Sequence, residues 1–465
     1  MERERLGSRL GFILISAGCA IGIGNVWKFP TVTAQNGGGF FVLIYLLFLV
    51  IMGIPIMTME FSMGRASGKS PVKLYQQLEK PGHKWHAHGY VALGGNVLLM
   101  MYYTSVTGWM LQYFVYMLTG KFEGMSSAVE VNAVYGEMLS QPWVLILFVA
   151  IVVTFGFLVC SFNMQKGLEK VSKIMMLALL TLIIVLVIHG FTLDGAKEGL
   201  SFYLIPNMDR IREAGIFNII VAAMNQSFFT LSLGMGSMAI FGSFIGKDRS
   251  LLGESVNIAV LDTFVAISSG LIIFPAFFTY MGNDTLPTDQ ILAQTAGPGL
   301  IFKTLPNVFI NMPAGRLWGT LFFLFMTFAA FSTILAVFQN IMSCVQELTE
   351  WSKIKTSIIC GVALFVLSIP CILGSNAWSG LTIGGKNIMD IEDFLVSQII
   401  LPAGSLIFVI FCTNKIGWGF ESFMEEANFG KGLKVQKWMK TYMRFVLPVI
   451  VGALLIYGIV STFIG

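Results

Sequence analysis

The chain has 465 residues, of which 55% are hydrophobic and only 12% are charged, and its mean hydropathy is +0.78. A soluble domain carries about twice that share of charged residues and has no need of repeated apolar runs of about 20 residues, so the composition indicates an integral membrane protein. The net charge of +4 is small and scattered over loops, which gives no support to nucleic-acid binding.

Apolar runs of membrane-spanning length recur along the whole chain. We predict eleven spans, at residues 8–36, 39–65, 88–119, 142–160, 168–190, 216–245, 252–281, 315–346, 354–373, 392–412 and 442–463. No small-residue cleavage site follows the charged N-terminus, so the first run is interpreted as a retained helix. No linker or low-complexity segment separates a second domain, and the chain is predicted to be one all-α membrane domain.

Lysine is concentrated in two of the predicted loops, and these loops fall on one side if the N-terminus is cytoplasmic. The loop at 120–141 is acidic instead, which fits the outside. With eleven spans, the C-terminus is then predicted to lie outside. The lysines concerned are Lys69, Lys73, Lys80 and Lys84 after the second span, and Lys415, Lys431, Lys434, Lys437 and Lys440 before the last one.

The first span contains a glycine-rich stretch, Ser16–Pro30, in which Gly18, Gly22 and Gly24 lie close to the polar Asn25. Glycine holds a helix poorly, and unpaired backbone groups are costly in hydrocarbon. A helix break is tolerated there only inside protein or beside a cavity, where freed carbonyls can bind a cation. Gly18 and Gly22 also form a GxxxG spacing, so close helix packing is the alternative interpretation.

The sixth span carries a second interruption, at Asn225–Ser237, where polar residues crowd next to Gly234 and Gly236. Two discontinuous helices in corresponding halves of a chain are typical of transporters built from inverted repeats. Together, the two breaks therefore favour a transport site over simple packing.

Ionisable and hydroxyl side chains inside the spans add candidates. Asp262 lies in mid-span and is costly unless paired, which favours a functional role, whereas Glu60 lies near a span end, where capping of backbone groups is the favoured role. Ser332 and Thr333 are able to bind a hard cation or to hydrogen-bond back to their own helix. Tyr103 offers a phenol hydroxyl that needs a partner if it is buried, with an interfacial aromatic belt as the alternative.

Other chemistry finds little support in the sequence. All six cysteines fall in apolar segments, so they are expected to be buried and unpaired. His83, His86 and His88 cluster in one loop, but no fourth ligand is near, and a metal site there is not expected. Catalytic motifs are absent, so we predict neither an enzyme nor an organic cofactor.

Six stretches, in order and on the appropriate spans, resemble the neurotransmitter:sodium symporter family, most closely its bacterial amino-acid members. The resemblance extends from the N-terminus to about residue 412. The stretches are Gly22–Pro30, Asn36–Phe40, Gly53–Pro55, Met59–Gly64, Ser227–Gly234 and Gly297–Leu300.

This resemblance implies two inverted five-helix repeats, 1–190 and 216–412, with discontinuous helices 1 and 6, followed by a cytoplasmic loop and helix 11 at 413–465. It also implies an amino-acid site at mid-membrane beside two sodium ions. The first ion would be held by Ala20, Asn25, Thr230, Asp262 and the substrate carboxylate. The second would be held by carbonyls of Gly18, Ile21 and Ala329 and by hydroxyls of Ser332 and Thr333.

The same resemblance assigns the parts of the amino acid. Its carboxylate would meet Tyr103 and the amides near Gly22 and Gly24, and its ammonium would meet carbonyls of Ala20, Phe229, Thr230 and Ser232. Met235 and Val337 replace residues that are often Phe and Ile in the family, which suggests room for a large apolar or aromatic side chain such as that of tyrosine. The side-chain pocket would comprise Leu99, Tyr103, Phe229, Met235, Thr333 and Val337.

Two gates depart from the family pattern. Lysine stands at Lys28, where arginine is usual, opposite an acid at Asp393, and it keeps the charge but loses the bidentate geometry. At the inner gate, Leu6 replaces a tryptophan, while Arg3 and Glu347 remain a plausible pair.

Asp262 replaces a neutral asparagine of the chloride-dependent relatives. The fixed carboxylate lies next to Tyr45, Gln226 and Thr230, which match the residues around the anion of those relatives. The resemblance thus implies chloride-independent sodium symport in a bacterial inner membrane. An amino-acid sensor without transport and an ion channel are the alternatives.

Overall fold

The structure is a computed structural model that describes residues 6–280 and 298–464. Within these residues, a long helix or a broken pair of helices accompanies every predicted span. In chain order they are α1 (Arg9–Ala20 and Gly24–Gln35), α2 (Gly39–Ser67), α3 (Ala87–Thr119), α4 (Pro142–Ser161), α5 (Gly167–Phe191), α6 (Ile216–Thr230 and Ser237–Gly242), α7 (Leu251–Tyr280), α8 (Gly315–Thr349), α9 (Lys353–Gly374), α10 (Ile388–Thr413) and α11 (Met439–Val460).

Membrane-spanning character is clearest in eight of the described helices, which are each long and apolar enough to cross a bilayer. The two halves of α1 pass the same test as a pair, α3 is a continuous helix of 33 residues, and α6 consists of two shorter pieces. The protein is therefore an all-α, multi-pass membrane protein with discontinuous helices 1 and 6, as the sequence predicted. All six cysteines lie within the described residues, are buried and form no disulfide bond with one another.

The break in α1 lies at residues 21–23 and bends the helix by 54°. The break in α6 is narrower than predicted, because Asn225 and Gln226 remain helical and only residues 231–236 leave the helix. Within this stretch the backbone is left-handed at Ser232 (φ 51°), Gly234 (φ 96°) and Gly236 (φ 71°). Glycine adopts this conformation at little cost, which explains why the break occurs at these positions.

Helix α8 lies at the centre of the bundle, since 83% of its apolar 18-residue segment is buried. The corresponding share for α11, at the periphery, is 28%. The second half of α6 packs backbone-to-backbone on α2, where a Cβ atom at Gly64 would lie 1.8 Å from the carbonyl oxygen of Ala239. The α6 break is pressed equally closely on α10, since a Cβ at Gly404 would lie 1.9 Å from the carbonyl oxygen of Gly234. These contacts fix the position of the α6 break.

The predicted loops contain short helices that the span analysis did not foresee. One of them, Ala128–Leu139, begins with a capping box in which the Ser127 hydroxyl accepts from the Glu130 amide and the Glu130 carboxylate accepts from the Ser127 amide. These backbone-amide hydrogen bonds lower the pKa of Glu130. The others are Pro71–Leu78, Ala196–Leu204, Met208–Ala214, Leu305–Asn311 and Phe420–Ala427.

We expect Gly64→Ala to destabilise the protein, because the new methyl group meets the Ala239 backbone, which has no freedom to rotate away. Overpacking of this kind costs about 1–3 kcal/mol. The matched control is Gly452→Ala on α11, where a Cβ would meet nothing within 4 Å. Thermal unfolding in detergent should show a lower midpoint for G64A than for G452A; equal midpoints would contradict the close packing of α2 on α6.

Candidate functional site

A buried polar cluster joins the α1 break, the first half of α6 and α7. The Asn25 amide nitrogen donates to the Thr230 hydroxyl at 3.0 Å and to Asp262 Oδ1 at 2.8 Å, and the Thr230 hydroxyl donates to Asp262 Oδ2 at 2.9 Å. All three side chains are fully buried. In the described part of the chain, the hydrogen-bond partners of this carboxylate are neutral groups.

Neighbouring polar side chains hold the backbone of this cluster. The Gln226 side-chain amide donates to the Gly24 carbonyl at 2.9 Å, and the Ser269 hydroxyl donates to the Asn25 carbonyl at 2.7 Å. Tyr45 faces the Asp262 carboxylate from α2. The three residues predicted to surround Asp262, namely Tyr45, Gln226 and Thr230, thus lie around this cluster.

A second oxygen cluster lies between the end of the first half of α1 and the middle of α8. The Ser332 hydroxyl lies 3.1 Å from the Ile21 carbonyl oxygen and 2.8 Å from that of Ala329. The Thr333 hydroxyl lies 3.3 Å from the Gly18 carbonyl oxygen and 3.2 Å from that of Ile21. All five residues predicted for a second ion therefore meet at this point, with two hydroxyls and three carbonyls.

A small cavity lies at the helix breaks, next to Thr333 of the second cluster. Its empty space measures about 340 Å³, of which about 20 Å³ is wide enough for the centre of a water molecule. It is lined by Ala20, Gly22, Gly24, Leu99, Tyr103, Phe229, Ser232, Met235, Thr333 and Leu401. Most of the predicted substrate residues therefore share one cavity.

Three residues depart from the predicted lining. Val337 is fully buried in α8 and Thr230 belongs to the Asp262 cluster, but neither borders this cavity. Leu401 borders the cavity, although the sequence analysis did not predict it. The residue comes from α10, whose close approach to the α6 break at Gly404 and Gly234 depends on tertiary packing.

The backbone amides at the α1 break already have side-chain partners. The Gly22 amide donates to Asn25 Oδ1 at 3.1 Å, and the Ile23 amide donates to the Tyr103 hydroxyl at 3.0 Å. A Cβ at Gly22 would lie 2.3 Å from the Tyr103 hydroxyl oxygen and 2.4 Å from that of Thr333, so only glycine allows the backbone to approach these groups. These two buried amides are thus paired with side chains of the protein itself.

On one side of the cavity, Lys28 and Asp393 form the predicted pair, with Nζ and Oδ2 3.8 Å apart. The Lys28 ammonium also lies 3.8 Å from the centroid of the Phe229 ring, which lines the cavity. Asp393 Oδ1 accepts from the Tyr102 hydroxyl at 2.9 Å and from the Ser397 hydroxyl at 2.8 Å. This polar group covers the aromatic wall of the cavity.

Two residues named in the sequence analysis, Arg3 of the predicted inner gate and Gly297 of the last motif, are outside the described residues. Glu347 accepts hydrogen bonds from the Ser70 amide at 3.1 Å and from the Ser70 hydroxyl at 2.6 Å. This contact joins α8 to the segment after α2.

Two carboxylates that the sequence analysis missed hold the start of α1. Glu169 accepts from the Gly7 amide at 2.8 Å and from the Ser8 hydroxyl at 3.0 Å, and Glu254 pairs with Arg9 at 2.9 Å. They lie near the starts of α5 and α7, where a charged residue has no distinguishing sequence pattern. The first half of α1 is therefore tied to two neighbouring helices at this end.

Glu60 has the structural role that its position favoured. Its Oε1 accepts from the Gly234 amide at 2.6 Å, so it caps a backbone group at the α6 break. Two of the three histidines that the sequence analysis grouped together have separate partners: His86 lies 2.5 Å from Glu79 Oε1, and His88, which belongs to α3, lies 2.8 Å from the Tyr75 hydroxyl.

Two broken helices that line one cavity, together with two clusters of buried oxygen atoms at the breaks, are typical of a membrane transporter with its binding site inside the bundle. The sequence profile of the sodium:neurotransmitter symporter family matches residues 3–137 and 134–463. The chain belongs to this family. It is a sodium-dependent, multi-pass membrane transporter rather than an enzyme.

Individual relatives agree with this assignment. The chain is 32% identical to the sodium-dependent transporter YhdH of Bacillus subtilis over 98% of each chain, and 30% identical to the sodium-dependent transporter MJ1319 of Methanocaldococcus jannaschii over 97% of this chain and 90% of the relative. The crystal structure of MhsT in complex with L-phenylalanine is similar, with a TM-score of 0.85, 33% identity and coverage of 98% of this chain and all of that one.

Proposed function

We propose that this transporter couples sodium entry to the uptake of a hydrophobic or aromatic amino acid by alternating access. The observation that carries the proposal is that residues of both helix breaks line one small cavity, and that two clusters of buried oxygen atoms lie at the same breaks. Such a site offers separate environments for a charged amino-acid backbone, an apolar side chain and hard cations.

The first sodium ion would lie at Asn25, Thr230 and Asp262, together with the Ala20 carbonyl and the carboxylate of the amino acid. Support comes from the burial of Asp262 among neutral partners, because an unpaired charge in such surroundings is costly. A cation that contacts both the Asp262 carboxylate and the substrate carboxylate would bind more tightly when the substrate is present, and the substrate would bind more tightly when the cation is present. This coupling is the basis of symport.

The second sodium ion would lie at Gly18, Ile21, Ala329, Ser332 and Thr333. Hard cations prefer oxygen ligands, and these residues bring three carbonyls and two hydroxyls into one cluster. Because the ligands come from both α1 and α8, an ion at this point would hold the first half of α1 against the centre of the bundle.

The amino acid would lie across the α1 break. Its carboxylate would meet the Tyr103 hydroxyl and the amides near Gly22 and Gly24, where the start of a half-helix favours negative charge. Its ammonium would meet carbonyls of Ala20, Phe229, Thr230 and Ser232. The side chain would then extend among the apolar walls of the cavity, Leu99, Phe229, Met235 and Leu401.

An aromatic side chain is the preferred cargo in this proposal. The cavity has little free room, so a large side chain requires its walls to move, and the flexible Met235 adapts more readily than an aromatic ring. The similar protein MhsT has been crystallised with L-phenylalanine, which supports the same class of substrate.

Asp262 would also make transport independent of chloride. It provides a fixed negative charge beside Tyr45, Gln226 and Thr230, where chloride-dependent relatives need an anion. A built-in carboxylate thus replaces the mobile counter-charge.

Alternating access would involve the two polar groups on opposite sides of the cavity. Lys28 and Asp393 would close the outer side of the cavity. Glu347 and the tethered start of α1 would close the inner side.

We place the N-terminus in the cytoplasm of a bacterium, with the protein in the inner membrane. The lysine-rich loops support this orientation, since the Lys80 ammonium donates to the Lys415 carbonyl at 2.5 Å and joins them on one face. The inverted repeats would be 1–190 and 216–412.

The decisive experiment is uptake of radiolabelled phenylalanine, tyrosine, tryptophan and leucine into proteoliposomes with an inward sodium gradient. We expect saturable accumulation that stops when the gradient is collapsed, because sodium and substrate share one site. Binding without accumulation would instead establish a sensor, and sodium current without saturable uptake a channel.

Replacing chloride with gluconate tests the counter-charge. The uptake rate of the wild type should be unchanged. The uptake rate of Asp262→Asn should fall about tenfold or more, which corresponds to roughly 1.4 kcal/mol of coupling free energy. Adding chloride back should restore part of this rate. The matched control is Glu421→Gln, which removes an exposed carboxylate that pairs with Lys440 on the surface. Chloride-free uptake by D262N at the wild-type rate would refute the role of this carboxylate.

Substitution of two threonines on α8, one at a time, tests the second sodium site. Thr333→Val should raise the half-saturating sodium concentration about tenfold or more, because one oxygen ligand is lost. Thr327→Val serves as control, since the equally buried Thr327 hydroxyl donates only to the Phe323 carbonyl of its own helix, at 2.7 Å. If both variants changed sodium dependence equally, a general effect on α8 would replace the ligand role.

A further inference from the structure

A groove of about 520 Å³ runs between α4 and α9 on the outer surface of the bundle, away from the central cavity. Its walls are mainly apolar, and several of its residues, Leu158, Ile354, Ile358 and Val362, expose half or more of their surface. At its floor the Ser357 hydroxyl donates to the Phe157 carbonyl at 2.8 Å, so the two helices are joined there.

One end of the groove carries positive charge. Ile354, which lines it, lies between Lys353 and Lys355 at the start of α9. Lys353 is near enough to Cys160, at the end of α4, to interact with it electrostatically, and the Lys355 ammonium lies 4.5 Å from the centroid of the Trp351 ring. Tryptophan and lysine together mark the membrane–water interface. The apolar groove therefore opens at the level of the lipid headgroups, beside two cations.

The floor of the groove is also in contact with the central helix. Phe157 stacks on Phe338 of α8, with ring centroids 4.1 Å apart. Gly156 allows this contact, since a Cβ there would lie 2.7 Å from the Phe338 ring. Phe338 follows directly after Val337 and lies little more than one turn from Thr333. Whatever fills the groove thus packs against a side chain that supports α8 near the binding cavity.

We infer that this groove is a binding site for an anionic phospholipid, with one acyl chain between α4 and α9 and the phosphate headgroup at Lys353 and Lys355. The charge selects the ligand: apolar walls alone accept any lipid tail, whereas basic residues at the cytoplasmic ends of membrane helices favour anionic headgroups. The bound chain supports Phe157 and hence α8. This site is independent of the transported amino acid.

The test is native mass spectrometry of the purified full-length protein, offered equal amounts of phosphatidylglycerol and phosphatidylcholine with identical acyl chains. We expect retention of phosphatidylglycerol at least about tenfold above phosphatidylcholine. Gly361→Phe should reduce binding of both lipids, because the new ring occupies the groove, where a Cβ at residue 361 already lies 3.4 Å from Phe157. The double variant Lys353→Gln/Lys355→Gln should abolish the preference between lipids.

Matched controls separate the site from general effects of bulk and charge. Gly452→Phe adds the same ring to α11, where a Cβ meets nothing within 4 Å, and Lys434→Gln/Lys437→Gln removes two lysines from another loop. Neither should change lipid retention. Equal retention of both lipids by the wild type, or unchanged binding by G361F, would overturn the proposal. If the wild type were a dimer and G361F a monomer, the groove would be the binding surface for a second copy of the chain instead.

Discussion

The structure depends on how the backbone groups freed by two helix breaks find partners where no bulk water is available. At the α1 break, the amides of Gly22 and Ile23 donate to side chains of Asn25 and Tyr103. At the α6 break, the Gly234 amide donates to Glu60. Each buried group left without a partner would cost several kcal/mol in hydrocarbon. Asn25, Tyr103 and Glu60 thus stabilise the breaks by pairing with the backbone amides that the breaks leave free.

The freed carbonyls are satisfied in a different way, and this difference gives the site its chemistry. The Thr333 hydroxyl lies 3.2–3.4 Å from the carbonyl oxygens of Gly18, Cys19 and Ile21, distances that correspond to weak hydrogen bonds. A hydroxyl group rotates freely and can offer a lone pair instead of its proton. A cation can therefore enter this cluster with little rearrangement of the backbone.

Sequence reasoning could predict features that are local along the chain. Glycines beside polar residues indicated both breaks. The family resemblance predicted that Lys28 pairs with Asp393 and that Ser332 lies near Ile21, and both pairs are in contact in the structure. It could not predict Leu401, which reaches the cavity only because α10 packs tightly on the α6 break, nor Glu169, which meets the start of α1 from a distant helix. Such contacts depend on tertiary packing and have no periodic signal in the sequence.

The buried Asp262 carboxylate has no positively charged partner among the hydrogen-bond donors that the structure describes. Among the described residues its hydrogen-bond donors are Asn25 and Thr230, both neutral, so no protein cation balances the charge. A buried carboxylate in these surroundings is stable when it is protonated or when a cation lies beside it. At the proposed first sodium site, sodium and a proton would compete for this carboxylate, and conditions that favour protonation would weaken sodium binding by the same free energy. In that proposal a single side chain links ion binding, charge balance and pH.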